Sequence, residues 1–317
     1  MSTAFVFPGQ GSQSVGMLSQ LADQHIEVRA TFEAASRVLG YDLWALVQQG
    51  PEAQLKSTEI TQPAMLAAGV AVWRVWSERG GAMPAEVAGH SLGEFTALVC
   101  ADALVFEDAI ELVRFRGMAM QQAVPQGTGA MAAIIGLEDG AIEAACAEAA
   151  RAQPGGVVSA ANFNSPGQVV IAGDVAAVQR AIEACKARGA KRALPLPVSA
   201  PFHCALMLPA AERLRERLAS SAVKTPRIAF RSAVDARLHG DPDDIRALLV
   251  RQASQPVRWT ATVTALVEAG TRLIVECGPG KVLTGLNRRI SKQPDLQCMA
   301  IDDDESLQAA LAAVRGT

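Results

Sequence analysis

Gly89, Ser91 and Gly93 stand two positions apart in the stretch Val87-Ala88-Gly89-His90-Ser91-Leu92-Gly93-Glu94. They fit G-x-S-x-G, the pattern of a nucleophile elbow. A serine on a strained turn between a strand and a helix projects its hydroxyl clear of the backbone. Glycines on either side remove the Cβ atoms that would block the turn. The helix expected next, roughly residues 92–100, would aim free N–H groups and its positive dipole end at the serine. That favours the oxyanion formed when a hydroxyl attacks an acyl carbon. The same pattern also describes a Gly-rich turn with a serine as helix N-cap.

A serine nucleophile needs a base. The chain has four histidines. His25 lies in a polar helical stretch and His239 in the loop Leu238-His239-Gly240-Asp241; both are expected at the solvated surface. His90 adjoins Ser91, but neighbours on a tight turn point apart, so a structural role is expected. His203 sits in Ser199-Ala200-Pro201-Phe202-His203-Cys204. It is the candidate base by elimination, although a lone loop histidine is otherwise structural or solvated. No aspartate stands out as the third member of a triad.

These residues need elements to hold them. Residues 4–7 read as a buried strand closed by Pro8-Gly9, followed by the glycine loop 9–13. Helical spacing runs over 17–39, over 58–76 and over 106–123, the last carrying Arg114 and Arg116. From about 127 to 196 the pattern changes. Strands at 130–136, 157–163, 168–172 and 191–196 and helices at 138–151 and 175–188 give the order βαββαβ, the ferredoxin-like pattern. Helices then follow at 208–221, 245–252, 260–269, 282–290 and 305–315. Strands follow at 228–232, 272–276 and 296–301. Strands alternating with helices predict a mostly parallel α/β sheet. The expected organisation is a large α/β core from 1–126 and 196–317, interrupted by a ferredoxin-like insert at 127–195.

Composition bounds the function classes. Half of the 317 residues are hydrophobic and only 4% are aromatic, so a large core must be built mainly of Ala, Val, Leu and Ile. A net charge of −3 and a pI near 5.9 argue against a nucleic-acid binder. The six cysteines form no C-x-x-C pair and sit mostly in apolar contexts. That predicts reduced thiols in the cytoplasm, with no disulfide framework and no zinc site. The first residues lack a basic and apolar signal-peptide pattern, and no apolar run of 18 residues predicts a membrane span.

Seven stretches in order carry a family resemblance. They are Phe7-Pro8-Gly9-Gln10-Gly11-Ser12-Gln13 with Gly16-Met17, Thr61-Gln62-Pro63-Ala64, Gly89-His90-Ser91-Leu92-Gly93-Glu94, Arg116-Gly117, Asn162-Phe163-Asn164-Ser165-Pro166, His203, and Gly278-Pro279-Gly280. Together they resemble the malonyl-CoA:acyl carrier protein transacylases of bacterial type II fatty acid synthesis, over essentially the whole chain. The resemblance implies a hydrolase-like α/β core with a ferredoxin-like insert. It implies Ser91 as the acyl-accepting nucleophile, His203 as base, and the backbone N–H groups of Gln10 and Leu92 as oxyanion hole. Arg116 would pair with the free malonyl carboxylate. The backbone carbonyl of Gln252 would orient the histidine, giving a Ser–His dyad without a third acid. Gln62, Met120, Asn162 and Val282 would complete the substrate site. Phe202, before His203, stands at a position that varies in the family and bears on local pocket shape, not on the base. The partners implied are malonyl-CoA, CoA and holo-acyl carrier protein, with no bound cofactor, no metal, no nucleic acid and no membrane, acting as a monomer. Lys186, Arg188, Lys191 and Arg192 are candidates for meeting an acidic carrier. Rival readings are a malonyl transferase serving another carrier, a serine thioesterase, and a scaffold that only binds acyl carrier protein.

Overall fold

The computed structural model describes residues 2–198 and 200–315. Ser199, in the loop ahead of His203, lies outside them. The strands are β1 (Ser2–Phe7), β2 (Glu86–Gly89), β3 (Gly129–Ile135), β4 (Val158–Ser165), β5 (Gln168–Asp174), β6 (Arg192–Pro195), β7 (Ala229–Arg231), β8 (Leu238–His239), β9 (Thr271–Cys277) and β10 (Gln297–Ile301). They form two sheets. The larger has the order β10-β9-β1-β2-β7-β8, and the smaller the order β4-β5-β3-β6.

The larger sheet is parallel except at its β7–β8 edge. β1 is its centre. Five of its six residues are buried, and a strand covered on both faces must be apolar throughout. Helices cover the sheet through a core of Ala, Val, Leu and Ile, with Phe5 set edge-on against Trp73 and Trp76. The longest helix, Thr58–Glu78, is buried on most of its surface. The smaller sheet is antiparallel. Helices Asp139–Arg151 and Val175–Ala187 pack on one face through their own apolar cluster.

A further cluster joins the smaller sheet to a helix and a loop of the larger lobe. Met131, Val170 and Ala172 of the smaller sheet meet Ala119 and Met120 of the helix Phe106–Gln121. Ala200, Phe202 and Cys204 fill the same cluster and flank His203. Backbone bonds add to it, since Phe163 N–H donates to Val257 C=O and Val257 N–H donates to Ala161 C=O, both at 2.9 Å.

The fold agrees with the expected α/β class, but three details differ. The helix expected over 17–39 is two helices, Ser19–Gln24 and Ile26–Leu39, broken at His25 in extended conformation. The buried stripe Leu21, Val28, Phe32, Ala35, Leu39 keeps helical spacing across the break, so periodicity hides it. The helices Leu43–Gln49 and Glu52–Leu55 are too short to show a period. His25 and His239 are not solvated. His25 is 2% exposed, with Nε2 2.9 Å from Asp304 Oδ1 and Nδ1 accepting from Arg79. His239, expected in a loop, ends the short strand β8 opposite Phe230 and is half-buried against Asp235.

Glycine is required where β2 turns into the next helix. A Cβ on Gly89 would lie 1.9 Å from the carbonyl carbon of Gly93, and one on Gly93 would lie 2.0 Å from Phe7 O. Both neighbours are backbone and cannot swing away. Gly89→Ala is therefore expected to destabilise by about 3 kcal/mol or more. Gly140→Ala, in a helix with open space at its Cβ, should stabilise by about 0.5–1 kcal/mol. Thermal or urea unfolding of the two variants checks the contrast.

Candidate active site

Ser91 follows β2 by two residues and has φ of 53°, in the left-handed region. A non-glycine residue there carries strain of about 1–3 kcal/mol. The strain turns Oγ outward into a cleft, while the helix Gly93–Cys100 leaves directly beneath it. His203 has φ of 60° and the same kind of strain. The two residues meet, with Ser91 Oγ 2.7 Å from His203 Nε2.

The rest of the histidine's surroundings fixes its tautomer. His203 Nδ1–H donates to the backbone carbonyl of Gln252 at 2.9 Å. Nε2 is then the lone-pair nitrogen and accepts the serine proton. Burial first, and the Arg116 cation second, push the His203 pKa down to about 3. The imidazole is neutral at physiological pH and ready as a base.

Arg116 comes from the helix Phe106–Gln121 and is 1% exposed. Its Nη1 donates to Gln62 Oε1 at 2.9 Å, and Nη2 donates to Gln252 Oε1 at 2.7 Å and to Ser91 Oγ at 3.2 Å. Its Nε has no hydrogen-bond partner among the described residues. Burial lowers its pKa to about 10, which leaves it charged. The guanidinium therefore sits beside the nucleophile with only neutral oxygens as direct acceptors among the described residues.

A cavity of about 560 Å³ opens over these groups. Gln10 and Leu92 line it, and neither backbone N–H has a partner among the described backbone hydrogen bonds. Gln62, Met120, Asn162 and Val282 line it as well. Met120 is buried at its floor and Val282 is half exposed. Every site residue expected from the sequence thus borders this cavity or, for Gln252, stands directly behind it. His90 Nε2–H donates to Asn164 Oδ1 at 2.9 Å, its ring tilted against Trp259. It lines the cleft with its Nε2 engaged by Asn164, while Ser91 Oγ is bonded to His203.

Sequence reasoning missed Glu94. Its carboxylate is fully buried and holds the Gln252 side chain. The available signal was a single charge in an otherwise uncharged helix, Gly93–Cys100.

This geometry can be set against known proteins. The acyl transferase domain family matches residues 4–309. The malonyl CoA-acyl carrier protein transacylase of Escherichia coli strain K12 is 56% identical over 308 residues, 97% of this chain and 98% of that one. The chain belongs to this acyl transferase family. Its fold matches an acyl carrier protein S-malonyltransferase from Vibrio cholerae with a TM-score of 0.94 at 57% identity, over 98% and 99% of the two chains. It also matches a malonyl-transacylase solved in complex with a type II PKS acyl-carrier protein, with a TM-score of 0.96 at 55% identity, over 99% and 100%. The expected α/β class and family both stand.

The depressed pKa of His203 has a measurable consequence. The rate at which phenylmethylsulfonyl fluoride labels Ser91 should show no acid limb near about 6.5, the ordinary histidine pKa. A lowered pKa moves the loss of base to more acidic pH. Arg116→Ala removes one cause of the lowering, so its acid limb should move upward. An inflection near 6.5 in both proteins would contradict this electrostatic reading.

Proposed function

We propose that this acyltransferase moves the malonyl group from malonyl-CoA to the phosphopantetheine thiol of holo-acyl carrier protein, through a malonyl ester on Ser91. The observation that carries the reading is Arg116, a buried cation 3.2 Å from Ser91 Oγ with no carboxylate bonded to it among the described residues. A malonyl group differs from an acetyl group by one carboxylate, and a planar guanidinium binds a carboxylate through two parallel bonds.

The reaction is ping-pong. Ser91 Oγ attacks the thioester carbonyl carbon while its proton passes to His203 Nε2. The N–H groups of Gln10 and Leu92 hold the oxyanion. The C–S bond breaks, and the CoA sulfur takes the proton from His203. The carrier thiol then gives its proton to His203 and attacks the serine ester, and Ser91 Oγ leaves with that proton. Gln252 holds the histidine through its carbonyl, and Gln62 holds Arg116. Asn162, Met120 and Val282 bound the acyl and pantetheine path. The malonyl carboxylate also acts on the base. It neutralises Arg116, removes one cause of the His203 depression, and strengthens the imidazole when the right substrate is present.

No metal or cofactor takes part in these steps. The larger lobe, 1–126 with 196–317, supplies the dyad and Arg116, and the 127–195 insert closes the cleft from above. The acidic carrier meets exposed cations on that insert. Lys186 and Arg188 pair with Glu183 and Glu148. Lys191 and Arg192 are exposed and have no ion pair among the described residues, so they are the better candidates. No helix among the described residues is long and apolar enough to cross a membrane. The six unpaired cysteines support a place in the reducing cytoplasm.

Intact-mass measurement after mixing with malonyl-CoA tests the reading. A single malonyl adduct is expected on the peptide containing Ser91, discharged by holo-carrier. Ser91→Ala should carry none. His203→Ala should form it about 10²–10⁴-fold more slowly. Free malonate without an adduct would favour a thioesterase, and no change would favour a scaffold.

A further inference from the structure

Glu94 takes no part in the steps above, yet its carboxylate is built into the site. Ser232 Oγ donates to Oε1 at 2.7 Å and Ala233 N–H at 2.6 Å, and Gln252 Nε2 donates to Oε2. Ser232 Oγ also accepts from Val234 N–H at 3.0 Å, which leaves its own proton to donate to Glu94. Three donors converge on two carboxylate oxygens, a pattern that suits the ionised form. The Gln252 amide is bonded on both ends. Nε2 also donates to the backbone carbonyl of Ser91 at 2.8 Å, and Oε1 accepts from Arg116 Nη2 at 2.7 Å.

We propose that Glu94 is a positioning residue for substrate selection: by holding Gln252 Nε2, it turns Gln252 Oε1 toward Arg116 and so aligns the guanidinium for the malonyl carboxylate. This rests on the malonyl reading above. An amide has two ends of similar shape and opposite polarity, so Gln252 alone does not fix which end faces Arg116. The reversed amide would point N–H groups at a cation and its oxygen at the Ser91 carbonyl. An acceptor at 94 excludes that state. Only a carboxylate accepts on both oxygens. An amide at 94 must set its own NH₂ against Ala233 N–H or against Gln252 Nε2.

The groups facing the carboxylate are Ser232 and Ala233 from the segment after β7 and Gln252 from the helix Pro242–Ser254. The charged group acting on it is Arg116. Burial pushes the Glu94 pKa up to about 7, so the proton that would release Gln252 arrives as pH falls through neutrality.

The test is kcat/KM for malonyl-CoA and for acetyl-CoA across pH in the wild type, Glu94→Gln, Glu94→Asp, Ser232→Ala and Arg116→Ala. The pH dependence of kcat/KM reports the free enzyme's groups, and the free enzyme is the same for both thioesters, so the titration of Ser91 and His203 there cancels in the malonyl-to-acetyl ratio. Glu94→Gln should lower the ratio about tenfold or more, mainly through KM for malonyl-CoA. Glu94→Asp should recover part of it. Ser232→Ala, which touches neither Arg116 nor Gln252, should lower it a few-fold and serves if Glu94→Gln does not fold. The wild-type ratio should fall as pH drops through about 7, and the Glu94→Gln ratio should be flat. An unchanged ratio in Glu94→Gln and Ser232→Ala, with Arg116→Ala still lowering it, overturns the role. A rise does so too, because it would make Glu94 a competing counter-charge. If Arg116→Ala itself leaves the ratio unchanged, the malonyl reading fails instead.

Discussion

A guanidinium buried away from water, with no direct counter-anion among the described residues, is the constraint on which the site depends. A buried charge is costly unless it is bonded or paired. Around Arg116 the cost is met by neutral groups: two carboxamide oxygens, the serine hydroxyl and the face of Phe95 at 5.4 Å. Glu94 stands one amide further away. The cation therefore remains available to an incoming carboxylate. It also adds to burial, the larger cause, in keeping the neighbouring imidazole neutral.

Such a site survives only if the backbone cannot relax. Ser91 and His203 both hold left-handed dihedrals that other conformations would relieve. At Ser91 the restraint is a pinch of backbone, with Gly89, Gly93 and Phe7 too close to admit a Cβ. At His203 it is the apolar cluster that binds Phe202 and Cys204 to Met120 and to the smaller sheet. The second sheet thus has a mechanical part. It clamps the loop of the base onto the helix of the cation, and it closes the cavity above both.

What the sequence revealed follows from how far each interaction reaches along the chain. The elbow was legible because its glycines, serine and helix follow one another directly from Gly89 to Cys100. The strands and most helices were legible from spacing, since burial of one face is a local pattern. The break at His25 was not, because the buried stripe keeps phase through it. The burial of His25 was also invisible, since its partner Asp304 lies 279 residues away. Glu94 and Gln252 are 158 residues apart, and nothing local tells a buried carboxylate from a solvated one at a helix start. The roles of Arg116 and Gln62 came from resemblance, because a charge on a helix is otherwise read as solvated.

The central claim is that Arg116 chooses the acyl group, and it is tested most directly by comparing kcat/KM for malonyl-CoA and acetyl-CoA in the wild type and in Arg116→Ala. Removing the cation deletes a charge-assisted bond of about 1.5–3 kcal/mol, and stranding the buried carboxylate costs about 3–5 kcal/mol. At 1.4 kcal/mol per decade, malonyl transfer should fall roughly ten- to a few thousand-fold. Acetyl transfer should hold or rise, since the acetyl complex loses only an unpaired buried charge. A fall of both by the same factor would make Arg116 structural and place selectivity elsewhere.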